Sequence, residues 1–297
     1  MRILVFATAI FCVSTGGPHV CRAEDATGHA AGLANPFFAF DNGLGRDHGW
    51  TPEQQASVLA ELGYDGIGYS GIADMPARLK ALDARGLKLQ TIFVDVRLAP
   101  GKASYDQGLP KAIEQLKGRG TIVGLYLLGG RPSSDALDQE AVKVIHEITD
   151  MAEASGLTVS LYPHEGVYLA TIQDAVRLIR KVNRKSVGAS FSLCHFLKVD
   201  DEKNLEARLK EAMPHLFVVS INGSDRGDTN NMGWDRLIKT LDEGDFDIKG
   251  LLKLLDRLGY RGPIGLQCYR IPGDIPKNVK RSMETWRKLA GQVKSSR

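Results

Sequence analysis

Two histidines follow polar segments of the chain and could act together as acid and base. His164 ends the segment Thr158–His164, and His195 comes two residues after the segment Val187–Leu193. Imidazole titrates near neutral pH, so both side chains are suited to taking up and releasing protons. Each histidine alone could equally hold a loop in place, but the two together favour a catalytic pair. Glu165 is a third candidate, either as a catalytic carboxylate or as a solvated charge at the rim.

Four segments place polar side chains on one face, because side chains alternate between the two faces of a strand. In Thr158–His164, for example, Val159 and Leu161 alternate with Ser160 and Tyr162. The apolar face is expected to pack against helices, which leaves the polar face on the inner side of the sheet, away from the helices. This pattern predicts a pocket for a polar ligand, and a hydrogen-bonded polar core without a ligand is the alternative. The candidate ligand contacts are Tyr162, Ser192, Ser220, Asn222 and Gln267, with Arg131 and Arg226 in loops as substrate clamps.

Short apolar runs alternate with amphipathic segments along the whole chain, which predicts parallel strands joined by helices. Eight such units fit a single-domain (β/α)8 TIM barrel. A doubly wound open sheet is the runner-up, but no Gly-x-Gly-x-x-Gly follows the first strand. The predicted strands are Pro36–Phe40, Gly66–Ser70, Lys88–Val94, Thr121–Leu128, Thr158–His164, Val187–Leu193, Phe217–Asn222 and Ile264–Tyr269.

Catalytic groups of such barrels lie where the strands end and in the loops that follow. The same rule gives a wider set of strand-end candidates: Asp41, Asn42, Ser70, Asp95, Arg97, Asp225 and Arg270.

The N-terminus is typical of an export signal. Arg2 precedes an apolar run, and Cys21-Arg22-Ala23 is an acceptable cleavage site. We therefore expect a signal peptide at 1–23, a linker at 24–34, the barrel at 35–297, and a periplasmic or extracellular location. The remaining Cys194 and Cys268 are expected on strands too far apart for a disulfide.

Composition excludes several classes of protein. The 297 residues carry 38 basic and 35 acidic side chains, so no charged surface for nucleic acid is indicated. No apolar run is long enough for a membrane span. The expected partner is a small carbohydrate, and the sequence leaves the oligomeric state open.

From about Asn35 to Leu289 the chain resembles the xylose-isomerase-like barrel proteins, often called the sugar phosphate isomerase/epimerase superfamily. The motifs that carry the resemblance are Leu62-Gly63-Tyr64-Asp65-Gly66, Tyr162-Pro163-His164, Leu193-Cys194-His195, Ile221-Asn222-Gly223, Glu243-Gly244-Asp245-Phe246-Asp247 and Gly259-Tyr260-Arg261-Gly262-Pro263-Ile264. These motifs are specific for the fold and much less specific for a reaction.

The resemblance implies a divalent ion held by Glu, Asp, His and Glu, but the corresponding positions here are Tyr162, Ser192, Ser220 and Gln267. Neutral oxygens are poor ligands for such an ion. No cofactor is therefore expected, and a metal would have to be re-sited on the two histidines and Glu165. The resemblance also makes His195 a substrate contact and Arg226 a substrate-side arginine.

Two functions from different classes remain. The first is an exported enzyme that abstracts a proton α to the carbonyl of a sugar or keto-sugar, giving isomerisation, epimerisation or elimination. His164 and His195 would be acid and base, while Tyr162, Asn222 and Gln267 bind hydroxyls and the developing oxyanion. The second is a catalytically retired barrel that only binds carbohydrate.

Overall fold

The computed structural model describes residues 32–293. The predicted signal peptide at 1–23 and residues 24–31 of the predicted linker lie outside the described residues. Within 32–293, no helix combines the length and the hydropathy needed to cross a membrane.

Nine strands form one sheet in the order β2-β1-β9-β8-β7-β6-β5-β3-β4, and an additional pairing between β2 and β3 closes it into a barrel. All pairings around the barrel are parallel, and only β4 runs antiparallel, to β3. The strands are β1 (Phe37–Phe40), β2 (Gly66–Ser70), β3 (Lys88–Ala99), β4 (Lys102–Ser104), β5 (Ile122–Leu128), β6 (Thr158–Leu161), β7 (Val187–Ser192), β8 (Leu216–Ile221) and β9 (Ile264–Leu266).

Helices cover the outside of the barrel, and four of them begin after a residue whose side chain caps the first turn. Thr51 and Thr171 each form a capping box with the residue three positions on. Gly63 ends the first helix in the left-handed conformation. The helices are α1 (Pro52–Leu62), α2 (Met75–Asp83), α3 (Leu109–Gln115), α4 (Asp138–Ala154), α5 (Ile172–Val182), α6 (Leu193–Val199), α7 (Leu205–Ala212), α8 (Trp234–Leu237), α9 (Ile248–Arg257) and α10 (Ile275–Gln292). The four with a side-chain cap are α1, α5, α9 and α10.

The predicted (β/α)8 barrel is confirmed, with two local differences. Strand β3 continues to Ala99 and turns back as β4, a hairpin that the apolar pattern did not indicate. Several strands also stop earlier than predicted: β6 ends at Leu161, which places His164 in the following loop. His195 lies in the first turn of α6, which begins directly after β7.

The barrel separates an apolar outer layer from a mixed interior, as the alternation predicts. Val159 and Leu161 belong to the large core that joins strands to helices. Inside the barrel, Phe38 and Phe40 form a second cluster with Val218. Glycines on neighbouring strands make room for these rings, since a Cβ at Gly68 or Gly265 would approach Phe38 within 3 Å. The barrel interior therefore holds an aromatic cluster on β1 together with polar side chains such as Ser160 and Ser190 on other strands.

The two cysteines that remain within 32–293 are separate. Cys194 and Cys268 are both buried and free. The prediction that they do not form a disulfide is confirmed.

Candidate active site

A cavity of about 880 Å³ opens at the carboxyl ends of the barrel strands. Residues at the ends of seven barrel strands and in the loop that contains α8 line it. The strand-end predictions Asn42, Ser70, Asp95, Arg97 and Arg270 are all on its wall. Ligand sites of (β/α)8 barrels lie at this end of the fold, so the cavity is the candidate active site.

The two candidate histidines meet in this cavity. Their ring centroids are 3.7 Å apart, and the ring planes are inclined by 40°. The Nδ1–H of His164 donates a hydrogen bond to the backbone carbonyl of Glu165, at 2.7 Å. A neutral His164 with its proton on Nδ1 keeps the lone pair on Nε2, which is then free to accept a proton.

Burial disfavours the charged form of both imidazoles. Burial lowers the pKa of His164 below its usual value. His195 is only 5% exposed, and burial, with the neighbouring His164 charge as a second cause, lowers its pKa much further. Its Nδ1 has no hydrogen-bond partner among the described residues. Removing an imidazole from water disfavours the charged form, so the pair consists of two potential bases.

Aromatic rings surround the histidines. The ring of Tyr126 meets His164 edge-on at 4.7 Å, and the ring of Trp234 meets His195 in the same way at 5.4 Å. Tyr162 lies between Phe93 and His195, with ring centroids 4.6 and 5.9 Å away. The side of the cavity formed by β5, β6 and α6 is therefore rich in aromatic rings that pack around the two imidazoles.

Tyr162 presents a neutral hydroxyl to the cavity. Burial raises the pKa of its phenol above the usual value. The hydroxyl donates a long hydrogen bond of 3.5 Å to Ser192 Oγ. Because such a contact is weak, the proton is available to a ligand oxygen.

The opposite side of the cavity is held by hydrogen bonds. Asn42 Nδ2 donates to Gln267 Oε1 at 2.8 Å, and the Tyr269 amide donates to the same oxygen. Behind this wall, buried Asp41 accepts hydrogen bonds from the Ser70 amide and hydroxyl, at 3.1 and 2.9 Å. Burial raises the pKa of Asp41, although Arg46 at 3.6 Å opposes the shift.

Five of the ten residues predicted for the site line the cavity: Tyr162, His164, Glu165, His195 and Gln267. Ser192 and Ser220 are buried within the barrel. Asn222 holds the loop after β8, because its amide donates to the carbonyls of Gly223 and Leu237. Arg226 is outside the cavity and pairs with Glu202 at 2.8 Å, and exposed Arg131 is also outside it.

Sequence reasoning missed several residues that line the cavity. Phe93 lies on β3 and Tyr126 on β5, and the side chains of both strands alternate between the outer layer and the barrel interior. Trp234 is far along the loop after β8, and Arg46 lies in a short 3-10 helix after β1. Only Phe93 and Tyr126 could have been found from the strand pattern.

The comparisons with known proteins identify the family. A family model described as xylose isomerase-like TIM barrel matches residues 56–289. The chain belongs to this family. Among curated proteins none matches the chain.

Solved structures share the fold of this xylose isomerase-like barrel at low sequence identity. D-allulose 3-epimerase from Methylomonas sp. in complex with D-allulose is 16% identical, with a TM-score of 0.67 over 88% of this chain and 100% of that one. The 3-keto-D-glucoside 4-epimerase from E. coli is 16% identical, with a TM-score of 0.64 over 86% and 99%. The probable 3-DHS dehydratase from Bacillus anthracis is 13% identical, with a TM-score of 0.68 over 84% and 98%. At these identities the likeness establishes the fold alone.

The residues present do not fit the divalent ion that the family resemblance implies. The four corresponding positions supply the neutral phenol of Tyr162, two buried serine hydroxyls and the Gln267 amide, whose oxygen already accepts two hydrogen bonds. No group of three or more His, Cys, Asp or Glu side chains among residues 32–293 is arranged to hold a metal. His164, His195 and Glu165 therefore do not replace the lost ligand set.

Proposed function

We propose that this barrel is an enzyme that abstracts a proton α to the carbonyl of an uncharged sugar or keto-sugar. The observation that carries the proposal is the pair of uncharged imidazoles, 3.7 Å apart on the cavity wall. A neutral imidazole is an effective general base near pH 7. The net reaction would be an isomerisation, an epimerisation or an elimination.

The two histidines have different parts in this proposal. His164 Nε2 takes the proton from the carbon next to the carbonyl, and the electron pair of the broken C–H bond moves onto the carbonyl oxygen. Tyr162 donates a hydrogen bond to that oxygen as its negative charge develops. His164, now protonated, returns a proton to carbon or to the departing hydroxyl, either directly or through the neutral ring of His195, which lies 3.7 Å away and can accept the proton and donate it onward.

Charge around the cavity favours an uncharged substrate. Three arginines, Arg46, Arg97 and Arg270, are balanced by three carboxylates, Asp95, Asp106 and Glu165. A site for a sugar phosphate would be expected to carry a surplus of positive charge. The D-allulose complex and the 3-keto-D-glucoside epimerase of the same fold concern uncharged sugars, which is consistent with this choice.

Binding without turnover is the second candidate. It is favoured by the neutral side chains at all four positions that correspond to the family's metal ligands. Under this alternative the aromatic side of the cavity would stack a sugar ring and the two histidines would only contact hydroxyls.

Proton exchange with solvent separates the two candidates. The full-length protein, treated with a chelator, is incubated in D₂O with D-fructose, D-allulose, D-glucose and 3-keto-D-glucose, and NMR follows the protons next to each carbonyl. The proposal expects deuterium incorporation into at least one sugar at a rate proportional to protein concentration. Saturable binding of a sugar with no exchange would establish the binding protein instead.

We further propose that the chain is exported, on the basis of its N-terminal sequence. Mass spectrometry of the protein expressed in a bacterial host with a periplasm tests this. Export predicts a mature N-terminus at Glu24 in the periplasmic fraction, whereas an intact N-terminus in the cytoplasmic fraction would contradict it.

A further inference from the structure

One wall of the cavity is longer than a single sugar ring requires. Phe93, Asp95 and Arg97 are alternate residues of β3, so their side chains share one face, and all three line the cavity. The four residue-to-residue steps of strand from Phe93 to Arg97 span about 13 Å. Asp95 pairs with Tyr126, which contacts His164, so the wall continues past the level of the histidines to Arg97.

The hairpin of β3 and β4 builds the outer part of this wall. Arg97 pairs across the hairpin with Ser104, and Tyr105 and Asp106 follow directly. The hairpin is attached to α4, because the Tyr105 hydroxyl donates to Glu147 and the Gly101 amide donates to Glu140 Oε1 at 2.9 Å. The outer wall is thus held in place by its hydrogen bonds to α4.

The chemistry of the wall changes along its length. At the inner end, Phe93 packs against Tyr162 beside the two histidines. At the outer end, the side chains of Asp95 and Arg97 are 63% and 71% exposed and lie 3.8 Å apart. A guanidinium group beside carboxylates offers paired donors and acceptors, which suits neighbouring hydroxyls of a sugar.

We propose that the outer wall is a subsite for a second sugar ring, which makes the substrate a neutral disaccharide or glycoside. The inner ring would carry the reacting carbonyl, so this inference rests on the proposed function. The outer ring would be held by Arg97, Asp95, Ser104 and Asp106. Mixed charge at this end argues for hydroxyl recognition and against an anionic group.

Calorimetry tests the subsite. It measures the affinity of the full chain for four disaccharides (cellobiose, maltose, lactose and trehalose) and for two methyl glycosides (methyl glucoside and methyl galactoside). The matched variants are Arg97→Ala and Lys102→Ala. Lys102 is exposed on the same hairpin and outside the cavity. We expect at least one disaccharide to bind roughly tenfold more tightly than its methyl glycoside, the advantage of one or two hydrogen bonds to charged groups. Arg97→Ala should remove this advantage, and Lys102→Ala should leave it unchanged.

Three results would overturn the subsite: no saccharide of the panel binds, no disaccharide binds more tightly than its methyl glycoside, or Arg97→Ala weakens both classes equally. Failure of the proposed function is a different result. In that case disaccharides keep their Arg97-dependent advantage, but no deuterium enters a keto-sugar.

Discussion

The two sides of the cavity differ in what they are built from: aromatic rings and imidazoles on one side, and side chains joined by hydrogen bonds on the other. On the side of β5, β6 and α6, the hydroxyl of Tyr162 makes a long contact of 3.5 Å with Ser192 and also interacts with Gln267, and His195 Nδ1 has no partner within 32–293. On the side of β9, β1 and β2, Gln267 Oε1 accepts two hydrogen bonds, and Asp41 Oδ1 accepts two from Ser70. One side keeps groups available for reaction, while the other holds its groups in fixed positions.

Unsatisfied buried polar groups are costly, so their presence on both sides, at His195 Nδ1 and at Asp41 Oδ2 and Asn42 Oδ1, calls for an explanation. A ligand that supplies the missing partners is the simplest one. The hydrogen-bonded side chains on the side of β9, β1 and β2 would orient that ligand against the histidines. Substitutions on the two sides should therefore change different kinetic constants.

The largest effect is expected from His164→Gln, which removes the proposed base. We expect the rate of solvent-proton exchange to fall by roughly 10²–10⁴, the usual contribution of general acid–base catalysis. The rate is measured by NMR in D₂O with an exchanging keto-sugar at saturation. A change of less than threefold would exclude His164 as the base.

Tyr162→Phe should have the next largest effect. The variant keeps the ring that packs on Phe93 and removes only the hydroxyl. Loss of one donor to a developing oxyanion costs about 10² in kcat. Tyr126→Phe is the matched control on the same side, and equal losses in the two variants would argue against a special role for Tyr162.

Asn42→Ala should act on binding. It removes the amide that donates to Gln267 on the oriented side of the cavity. Loss of one hydrogen bond of about 1 kcal/mol predicts a roughly fivefold rise in KM with kcat within twofold. Steady-state kinetics measure kcat and KM of the variant. A fall in kcat at constant KM would contradict the proposed difference between the two sides.

Arg226→Ala should have the smallest effect. Its guanidinium forms an exposed pair with Glu202 outside the cavity, and such pairs contribute between 0 and about 1 kcal/mol to stability. We expect kcat/KM within twofold of the unchanged protein. A tenfold loss of kcat/KM would show that the loop after β8 reaches the substrate.

The sequence predicted the parts of the site that depend on the strand period. His164 and His195 follow neighbouring strands. Because the carboxyl ends of parallel strands lie together at one end of a barrel, the proximity of the two histidines followed from the fold. The inward positions of Ser192 and Ser220 also followed from alternation, but the barrel buries both below the cavity. The alternation predicts on which face of a strand a side chain lies, but it does not predict how deep within the barrel that side chain is.

The parts that the sequence did not predict depend on the path of long loops. Trp234 reaches His195 only because the segment after β8 folds back, with Gly223 pairing with Lys239. The hairpin after β3 contains Gly101 and exposed polar residues, which are equally typical of a plain loop. Arg226 and Arg131 follow strand ends, as catalytic residues do, but no local pattern fixes the direction of a loop side chain.

The central claim is that the two imidazoles are uncharged at the pH of the reaction. A pH titration of the ¹⁵N-labelled histidines by NMR measures this directly, with His164→Gln and His195→Gln to assign the signals among the seven histidines of the chain. Because burial lowers both pKa values, each ring should be more than half neutral at pH 6.5, and His195 should titrate below His164. Exchange activity should likewise persist down to pH 6.5. A His195 pKa at or above 6.5 would contradict the account.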